Sequence, residues 1–208
     1  MTQNGHRHQK NGQVTHKGAG KKGIVVNICH VTWFNKTDQF TIANAPERTA
    51  NLSFTGDDLN FLSRVVYAES SGSGMLPDKD KRDKEKEAII NVIHFRLNRR
   101  GYPRNDYIAR TFSAVCRAAN QFVSVTPTPS PKVVSSAEPV YTSLNKGDCS
   151  DLQEAIDAVK KFMGTGPNQD YAFDNFVAGH SSKKGRVNIG GTHFWLSHTG
   201  KEMYDETP

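Results

Sequence analysis

The chain has 208 residues, enough for one domain with a buried core, and a formal net charge of +6. Its apolar runs fall far short of the ~20 residues that a membrane-spanning helix needs, so no membrane span is expected. Residues 1–37 hold six basic residues and no acid, while residues 38–208 hold 21 of each sign. The charge therefore predicts a disordered basic tail over residues 1–22, and no nucleic-acid partner for the folded body.

The polar N-terminus lacks the apolar region of a signal peptide, so we expect a protein made in the cytoplasm without a cleaved signal. Three widely spaced cysteines, Cys29, Cys116 and Cys149, argue against a disulfide framework and against a zinc knuckle. A single disulfide stays open. Cys116 lies in an amphipathic run and is interpreted as a core residue.

The first predicted elements are a strand within residues 23–34, from its β-branched and aromatic residues, and a helix over residues 57–69. Thr55 supplies the N-cap of this helix, and acidic residues occupy its first turn. Four of its residues follow one another at steps of three, four and three and so share one face: Leu59, Leu62, Val66 and Glu69.

Glu69 is a carboxylate that closes this apolar stripe. A charged group there is costly unless it is paired or takes up a proton. The Ser/Gly-rich segment 70–74 places Glu69 in the last helical turn, where the helix dipole and desolvation both favour the protonated form. That environment suits a general acid. The alternative is a structural glutamate that pairs with an arginine or caps a loop, and the stripe alone does not choose between the two.

Alternating charges over residues 77–87 predict a solvated loop that runs into a helix over 88–98, with Ile89, Ile93 and Leu97 on one face. A shorter helix is predicted over 108–119, with Phe112, Val115, Cys116 and Ala119 on one face. A Pro/Ser/Thr-rich loop follows over residues 125–148.

Ser150 begins a predicted capping box and a helix that Gly164 ends. Its apolar stripe is formed by four residues: Leu152, Ile156, Val159 and Met163. The chain closes in a glycine-rich aromatic segment, 189–195. We therefore predict an α+β, mainly α, single domain over residues 23–208 with minor strands.

Six segments in this order resemble the SleB/CwlJ-type cell-wall hydrolases, which include the spore-cortex-lytic enzymes. They are Val65–Glu69, His94–Asn98, Thr111–Cys116, Asn120–Ser124, Ala172–Phe173 and Ile189–Trp195. The resemblance covers roughly residues 58–197 and implies a lysozyme-like fold, akin to goose-type lysozymes and lytic transglycosylases. It also implies cleavage of the MurNAc-GlcNAc glycan strand of peptidoglycan, with Glu69 as the catalytic glutamate. No cofactor and no metal are expected.

Cleavage of a glycosidic bond needs a proton on the leaving oxygen, and a two-carboxylate hydrolase needs a second Asp or Glu on the facing wall. The candidates are Glu85, Glu87 and Asp174. If none serves, the 6-hydroxyl of muramic acid can attack instead, and Glu69 takes its proton to leave a 1,6-anhydro product. A single-glutamate lytic transglycosylase fits the sequence better than a muramidase, and both stay open.

Six residues are candidates for contact with substrate: Tyr67, Gln121, Phe122, Phe173, His193 and Trp195. His193 could bind substrate, orient Glu69, or be a satisfied histidine among aromatic residues. A zinc role for it is weak, because no second ligand stands at a suitable spacing. Gln121 could line a groove or cap the backbone, and Tyr67 could simply pack. Aromatic residues, including Tyr171, could stack on sugars or form core.

Two other functional classes stay open. A Cys/His amidase or peptidase would pair Cys116 or Cys149 with His180 or His193. A non-enzymatic module would use the basic tail to bind wall polymer or nucleic acid. A glycan-cleaving enzyme without a signal peptide would act at the periplasm or cell wall as a phage lysis enzyme or a secreted antibacterial effector. The effector case implies a cognate immunity protein.

Overall fold

The computed structural model describes residues 30–102, 107–130, 132–133 and 146–197, together with two short strands nearer the N-terminus. These strands are β1 (Gln13–Val14) and β2 (Val26–Asn27), which pair antiparallel. The predicted tail over residues 1–22 lies otherwise outside the described residues, as do Cys29 and most of the predicted loop over 125–148. Of the described residues in the strand predicted within 23–34, Val26 and Asn27 form β2 and residues 30–34 are not in a strand.

The described α-helices are α1 (Glu47–Ala50), α2 (Gly56–Glu69), α3 (Lys79–Arg96), α4 (Phe112–Cys116) and α5 (Lys146–Thr165). A 3₁₀ turn follows at Gln169–Tyr171. The described strands are β3 (Gln39–Phe40), β4 (Phe54–Thr55), β5 (Asn175–Ala178), β6 (Val187–Ile189) and β7 (Thr192–Trp195), in addition to β1 and β2. The described chain is thus α+β and mainly helical, which confirms the predicted class. No helix in the described ranges is long and apolar enough to cross a membrane.

α2 is the central helix and packs against α3, α4 and α5. It begins as the sequence predicts, because the Thr55 hydroxyl accepts the backbone N–H of Asp58 at 3.2 Å. Leu59, Leu62 and Val66 have no exposed surface, so the predicted stripe faces the core. The stripe carries Glu69 to the C-terminal end of α2, at the edge of that core.

α3 begins at Lys79, so the predicted solvated loop over 77–87 is mostly helix. Arg82 and Lys86, in the charged first half of α3, are buried because Glu154 on α5 balances their positive charges. Arg82 makes two hydrogen bonds to that carboxylate, at 2.7 and 2.9 Å, and Lys86 Nζ lies 3.3 Å from it. Burial lowers the pKa of Lys86. A pattern of alternating charge cannot reveal partners so distant in sequence.

Two other helices differ from prediction in their boundaries. α4 is only five residues long, and Ala119 lies beyond its end and is exposed. α5 begins at Lys146, four residues before Ser150, so Ser150 is inside the helix and no capping box starts there. The predicted stripe of α5 is buried as expected: Leu152, Ile156, Val159 and Met163.

β5, β7 and β6 form a three-stranded sheet with β7 in the centre, antiparallel to both neighbours. β5 and β6 are therefore parallel, and residues 179–186 cross over β7 to connect them. Thr192 and Phe194 point from β7 into the core, since side chains alternate along a strand. The sheet contacts α3 through its outer strands.

Candidate active site

Glu69 is the last residue of α2, and its side chain is half-buried. The next residue, Ser70, has an extended backbone and donates its N–H to Val66 O at 3.0 Å, so the helix ends at the carboxylate. The hydroxyl of Ser124 donates a hydrogen bond to Glu69 Oε1. Within the described residues Glu69 forms no ion pair, and Oε2 has no hydrogen-bond partner. One carboxylate oxygen is thus held in place and the other is available for proton transfer.

Ser124 is the polar contact that the sequence analysis missed. It closes the Asn120–Ser124 segment, in which Gln121 was the predicted site residue. The structure places Gln121 on the surface, where its amide donates to Ala119 O at 3.5 Å and to no other described residue. The signal that could have identified Ser124 was its place in the same short motif.

The loop after Glu69 is anchored to α3 and α5 at three points. Glu85 accepts the backbone N–H of Ser71 at 3.2 Å and its hydroxyl at 3.1 Å. Asp151 on α5 accepts the N–H of Ser73 at 2.9 Å. Arg82 Nη1 donates to Leu76 O and Pro77 O, each at 2.7 Å. A segment that the sequence marked only as a helix-ending break is therefore held in one conformation beside Glu69.

Glu85 also joins this loop to the sheet. Its side chain has no exposed surface, and Oε1 accepts the hydroxyl of Thr192 at 2.6 Å. The Gly190-Gly191 turn before β7 packs against the same group. A Cβ on Gly190 would lie 2.7 Å from Glu85 Cβ, and one on Gly191 would lie 2.3 Å from Ser71 Oγ. Gly190 also has a positive φ of 61°, so glycine is favoured there by both space and backbone conformation, whereas a side chain at Gly191 would displace the Ser71 hydroxyl.

The other two candidate carboxylates are engaged elsewhere. Glu87 accepts the side-chain amide of Asn168 at 2.9 Å and pairs with Lys161 at 3.0 Å. Asp174 is buried and accepts the backbone N–H of Ser197 at 2.7 Å and its hydroxyl at 2.5 Å. Within the described residues no hydrogen bond links Glu69 to Glu85, Glu87 or Asp174. None of the three has a carboxylate oxygen free beside Glu69 to act as a second catalytic group.

Tyr67 and Phe122, two of the predicted substrate contacts, are only 2% and 1% exposed. Lys132 Nζ lies 4.4 Å from the centre of the Tyr67 ring, and the Phe122 ring packs 6.1 Å from that of Phe176. Their apolar rings complete the core at the end of α2 and beneath the Ser124 segment. Burial leaves them almost no surface for direct contact with a substrate, which corrects the prediction for both.

Phe173 is half-buried and packs its ring 5.6 Å from that of Phe194 and 6.3 Å from that of Tyr171. It therefore belongs mainly to the packing between the sheet and the helices. Part of its surface remains accessible.

His193 and Trp195 lie side by side on the outer face of β7, with ring centres 5.7 Å apart. His193 Nδ1 lies 2.7 Å from Gly179 O, and because a carbonyl oxygen can only accept, Nδ1 carries the proton. The guanidinium of Arg186 sits 3.3 Å from the centre of the Trp195 ring. The crossover 179–186 thus fixes the His193 ring through Gly179 O, and Arg186 covers one face of Trp195.

Neither described cysteine is available as a nucleophile. Cys116 is a free thiol with no exposed surface, and burial raises its pKa. Cys149 is disulfide-bonded, so the single disulfide that the sequence left open is present. The Cys/His alternative therefore lacks a reactive thiol among the described residues. Among the residues that the structure describes, no group of three or more His, Cys, Asp or Glu side chains could hold a metal ion.

No protein-family model, curated protein or solved structure matches this chain. The site is therefore interpreted from its own geometry: a half-buried glutamate at a helix end, held by a serine, with a buried network that fixes the loop behind it.

Proposed function

We propose that this protein cleaves the glycan strands of peptidoglycan, with Glu69 as the general acid and then the general base. The observation that carries the proposal is the state of Glu69. It is half-buried at the end of the central helix, forms no ion pair with the described residues, and has one carboxylate oxygen oriented by Ser124. A structural helix-end glutamate would be expected to pair with a cation or to cap the backbone, and Glu69 does neither among those residues.

The proposed chemistry needs a single carboxyl group. Glu69 Oε2 donates its proton to the bridging glycosidic oxygen as the bond from that oxygen to C1 of muramic acid breaks. The 6-hydroxyl of the same sugar then forms a bond to C1, and its proton passes to the Glu69 carboxylate. The products are a free hydroxyl on one sugar and a 1,6-anhydro ring on the other, and the acid is restored without water.

The engagement of Glu85, Glu87 and Asp174 favours this route over hydrolysis by a muramidase. A hydrolase of the two-carboxylate type needs a second carboxylate with an oxygen free to hold water or attack the sugar. Each of the three candidates is instead committed to hydrogen bonds or an ion pair, Glu85 with the loop that follows Glu69, and Glu87 and Asp174 elsewhere in the molecule. We therefore propose a lytic transglycosylase in preference to a muramidase.

A lysozyme-like fold forms part of the proposal. It is supported by a central helix that ends in the glutamate, by helices packed around it, and by a small antiparallel sheet joined through Glu85 to the loop that follows. Because peptidoglycan lies outside the cytoplasmic membrane, the proposed site of action is the cell wall. A lysis enzyme or an antibacterial effector with a cognate immunity protein would suit that site.

Muropeptide release from purified peptidoglycan tests the proposal. Glu69→Gln keeps the shape of the side chain but cannot donate the proton, so release should fall by about 10²- to 10⁴-fold. Glu87→Gln is the matched control, because it alters a partly buried glutamate outside the site and should retain activity. Activity of Glu69→Gln equal to that of the wild type would exclude Glu69 as the acid.

A further inference from the structure

We propose that Glu85 is a positioning residue for Glu69 and not the second catalytic carboxylate. It fixes the chain directly behind Glu69 and ties that chain to the sheet. The inference rests on the proposed function, and it assigns to Glu85 a role that the sequence left undecided among three carboxylates.

The first step is the environment of Glu85. A carboxylate with no exposed surface is very costly unless its oxygens receive hydrogen bonds. Glu85 forms no ion pair with the described residues, so hydrogen bonds meet most of this cost. Oε2 accepts the N–H of Ser71, and Oε1 accepts the hydroxyls of Ser71 and Thr192. A group so enclosed cannot reach a sugar or a water molecule on the surface.

The second step is the short path from Glu85 to Glu69. Ser71 follows Glu69 by two residues, a span of at most ~7 Å of chain. Glu85 fixes Ser71 at both its backbone N–H and its side chain, and Ser70 between them caps α2. Of the three anchors of this loop, Glu85 is therefore the one nearest the point where the chain leaves the helix. A shift of ~1 Å in a catalytic group can reduce the rate about a hundredfold.

The third step is the link to the sheet. Thr192 begins β7, and the Gly190-Gly191 turn before it lies against both Glu85 and Ser71. One carboxylate thus holds the loop behind Glu69 and the nearest end of the sheet at a fixed separation. Loss of Glu85 would remove the loop anchor nearest Glu69 and the link from that loop to Thr192, although Glu85 does not contact Glu69 in the described contacts.

Two substitutions at this position separate positioning from catalysis. In Glu85→Gln the amide oxygen can still accept the N–H of Ser71, and its NH₂ can donate to the hydroxyls of Ser71 and Thr192, which can also act as acceptors. The network is thereby preserved without the charge. Glu85→Ala removes all three hydrogen bonds. If Glu85 were a catalytic carboxylate, both variants would lose activity. If Glu85 positions Glu69, only Glu85→Ala loses most of its activity.

The molecule offers a matched control in Asp174, which is 2% exposed. Asp174 accepts the backbone N–H and the hydroxyl of Ser197, just as Glu85 accepts those of Ser71. The two carboxylates are thus alike in burial and bonding, but only Glu85 bonds to the loop behind Glu69. Asp174→Ala should destabilise the protein while its folded fraction keeps the wild-type kcat.

The experiment measures kcat and KM on purified peptidoglycan below the unfolding temperature of each variant. Glu85→Gln should lose about tenfold or less, and Glu85→Ala about a hundredfold, mainly in kcat. Glu85→Gln as inactive as Glu69→Gln would make Glu85 a catalytic residue and overturn the inference. Equal kcat values for Glu85→Ala and Asp174→Ala would reduce Glu85 to a structural role and overturn it as well.

Two further measurements apply if Glu85→Ala does not fold. Ser71→Ala removes one hydrogen bond to Glu85 and should lower kcat by about fivefold, whereas Ser197→Ala should not lower it. Unchanged kcat in Ser71→Ala would contradict the proposal. Hydrogen exchange of the backbone amide at position 71 can be measured without activity. It should be faster in Ser71→Ala than in Ser197→Ala, and equal rates would also contradict the proposal. A wild-type protein that releases no muropeptides would instead refute the proposed function. The exchange result would still test whether Glu85 holds the chain at Ser71.

Discussion

Replacing Ser124 by alanine removes the one hydrogen bond that Glu69 receives from a described side chain. The hydroxyl orients Oε1, and without it the carboxyl group can rotate away from the glycosidic oxygen. We expect kcat to fall and KM to change little, because the bond acts on the catalytic group and not on the bound sugar.

The magnitude follows from the type of hydrogen bond. A hydrogen bond to a charged group contributes about 1.5–3 kcal/mol, and each ~1.4 kcal/mol corresponds to tenfold in rate. Ser124 is half-buried, so the lower part of this range applies. We therefore expect a loss of about 10- to 30-fold in kcat.

Steady-state release of muropeptides at fixed pH measures the effect, with thermal unfolding as a check on the fold. Ser63→Ala is the control, since it removes a buried hydroxyl of α2 that donates only to Leu59 O at 2.8 Å. Equal kcat for Ser124→Ala and the wild type would refute the role assigned to the hydrogen bond. A loss in Ser63→Ala as large as that in Ser124→Ala would refute it too.

Three further predictions concern the fold and the alternative chemistry. Cys116→Ala should retain muropeptide release, because the thiol is buried and contacts no substrate; loss of activity in a folded variant would revive the thiol mechanism. Burial, and then the charges of two nearby arginines, lower the pKa of His94 to about 3 from the ordinary value of 6.5. The unfolded chain therefore binds the proton first, and the free energy of unfolding should fall by up to about 1.4 kcal/mol per pH unit between pH 6.5 and pH 3. Denaturant titrations should show a smaller fall in His94→Gln, and an identical pH dependence would contradict a neutral buried histidine. Glu154→Gln leaves Arg82 and Lys86 buried without their counter-charge and should cost about 3 kcal/mol of stability, whereas a change below about 1 kcal/mol would show that the cluster is hydrated.

The helix that carries Glu69 could be predicted because all its signals are local. Thr55 caps its start, three apolar residues at helical spacing define its buried face, and the Ser/Gly break ends it. The position of Glu69 at the edge of the core followed from that spacing alone. Near the C-terminus, β7 lies within the glycine-rich aromatic segment that the sequence marked over 189–195, whereas the minor strands β5 and β6 were not placed in advance.

The helical form of the charged segment of α3 could not be predicted, because its buried charged side chains have ion-pair or hydrogen-bond partners that are distant in the sequence. Arg82 is hydrogen-bonded to Glu154, which is 72 residues away in the sequence, and Glu85 is hydrogen-bonded to Thr192, which is 107 residues away. Without those partners, alternating charges are typical of solvent-exposed chain. The spacing of apolar residues indicates which side chains face the core. It does not indicate which charged side chains are buried with a distant partner.

The sequence predicted the position of Glu69, the glutamate of the candidate site, and only part of its surroundings. Tyr67 and Phe122 belong to the predicted motifs, yet both are core residues, because a motif fixes the order of residues and not the direction of each side chain. Ser124 and Ser71 are small polar residues without a distinctive spacing. Their roles depend on where loops return in space, which one sequence does not specify.

The central claim, that Glu69 alone cleaves the glycan strand, is tested most directly by the chemistry of the new ends. Peptidoglycan digested in heavy-oxygen water and analysed by mass spectrometry should yield 1,6-anhydromuramic ends that carry no label, and Glu69→Gln should yield none. Reducing ends that carry one heavy oxygen would show that water attacks the sugar and would contradict the single-carboxylate mechanism. Released stem peptides with intact glycan strands would contradict the glycosidase itself.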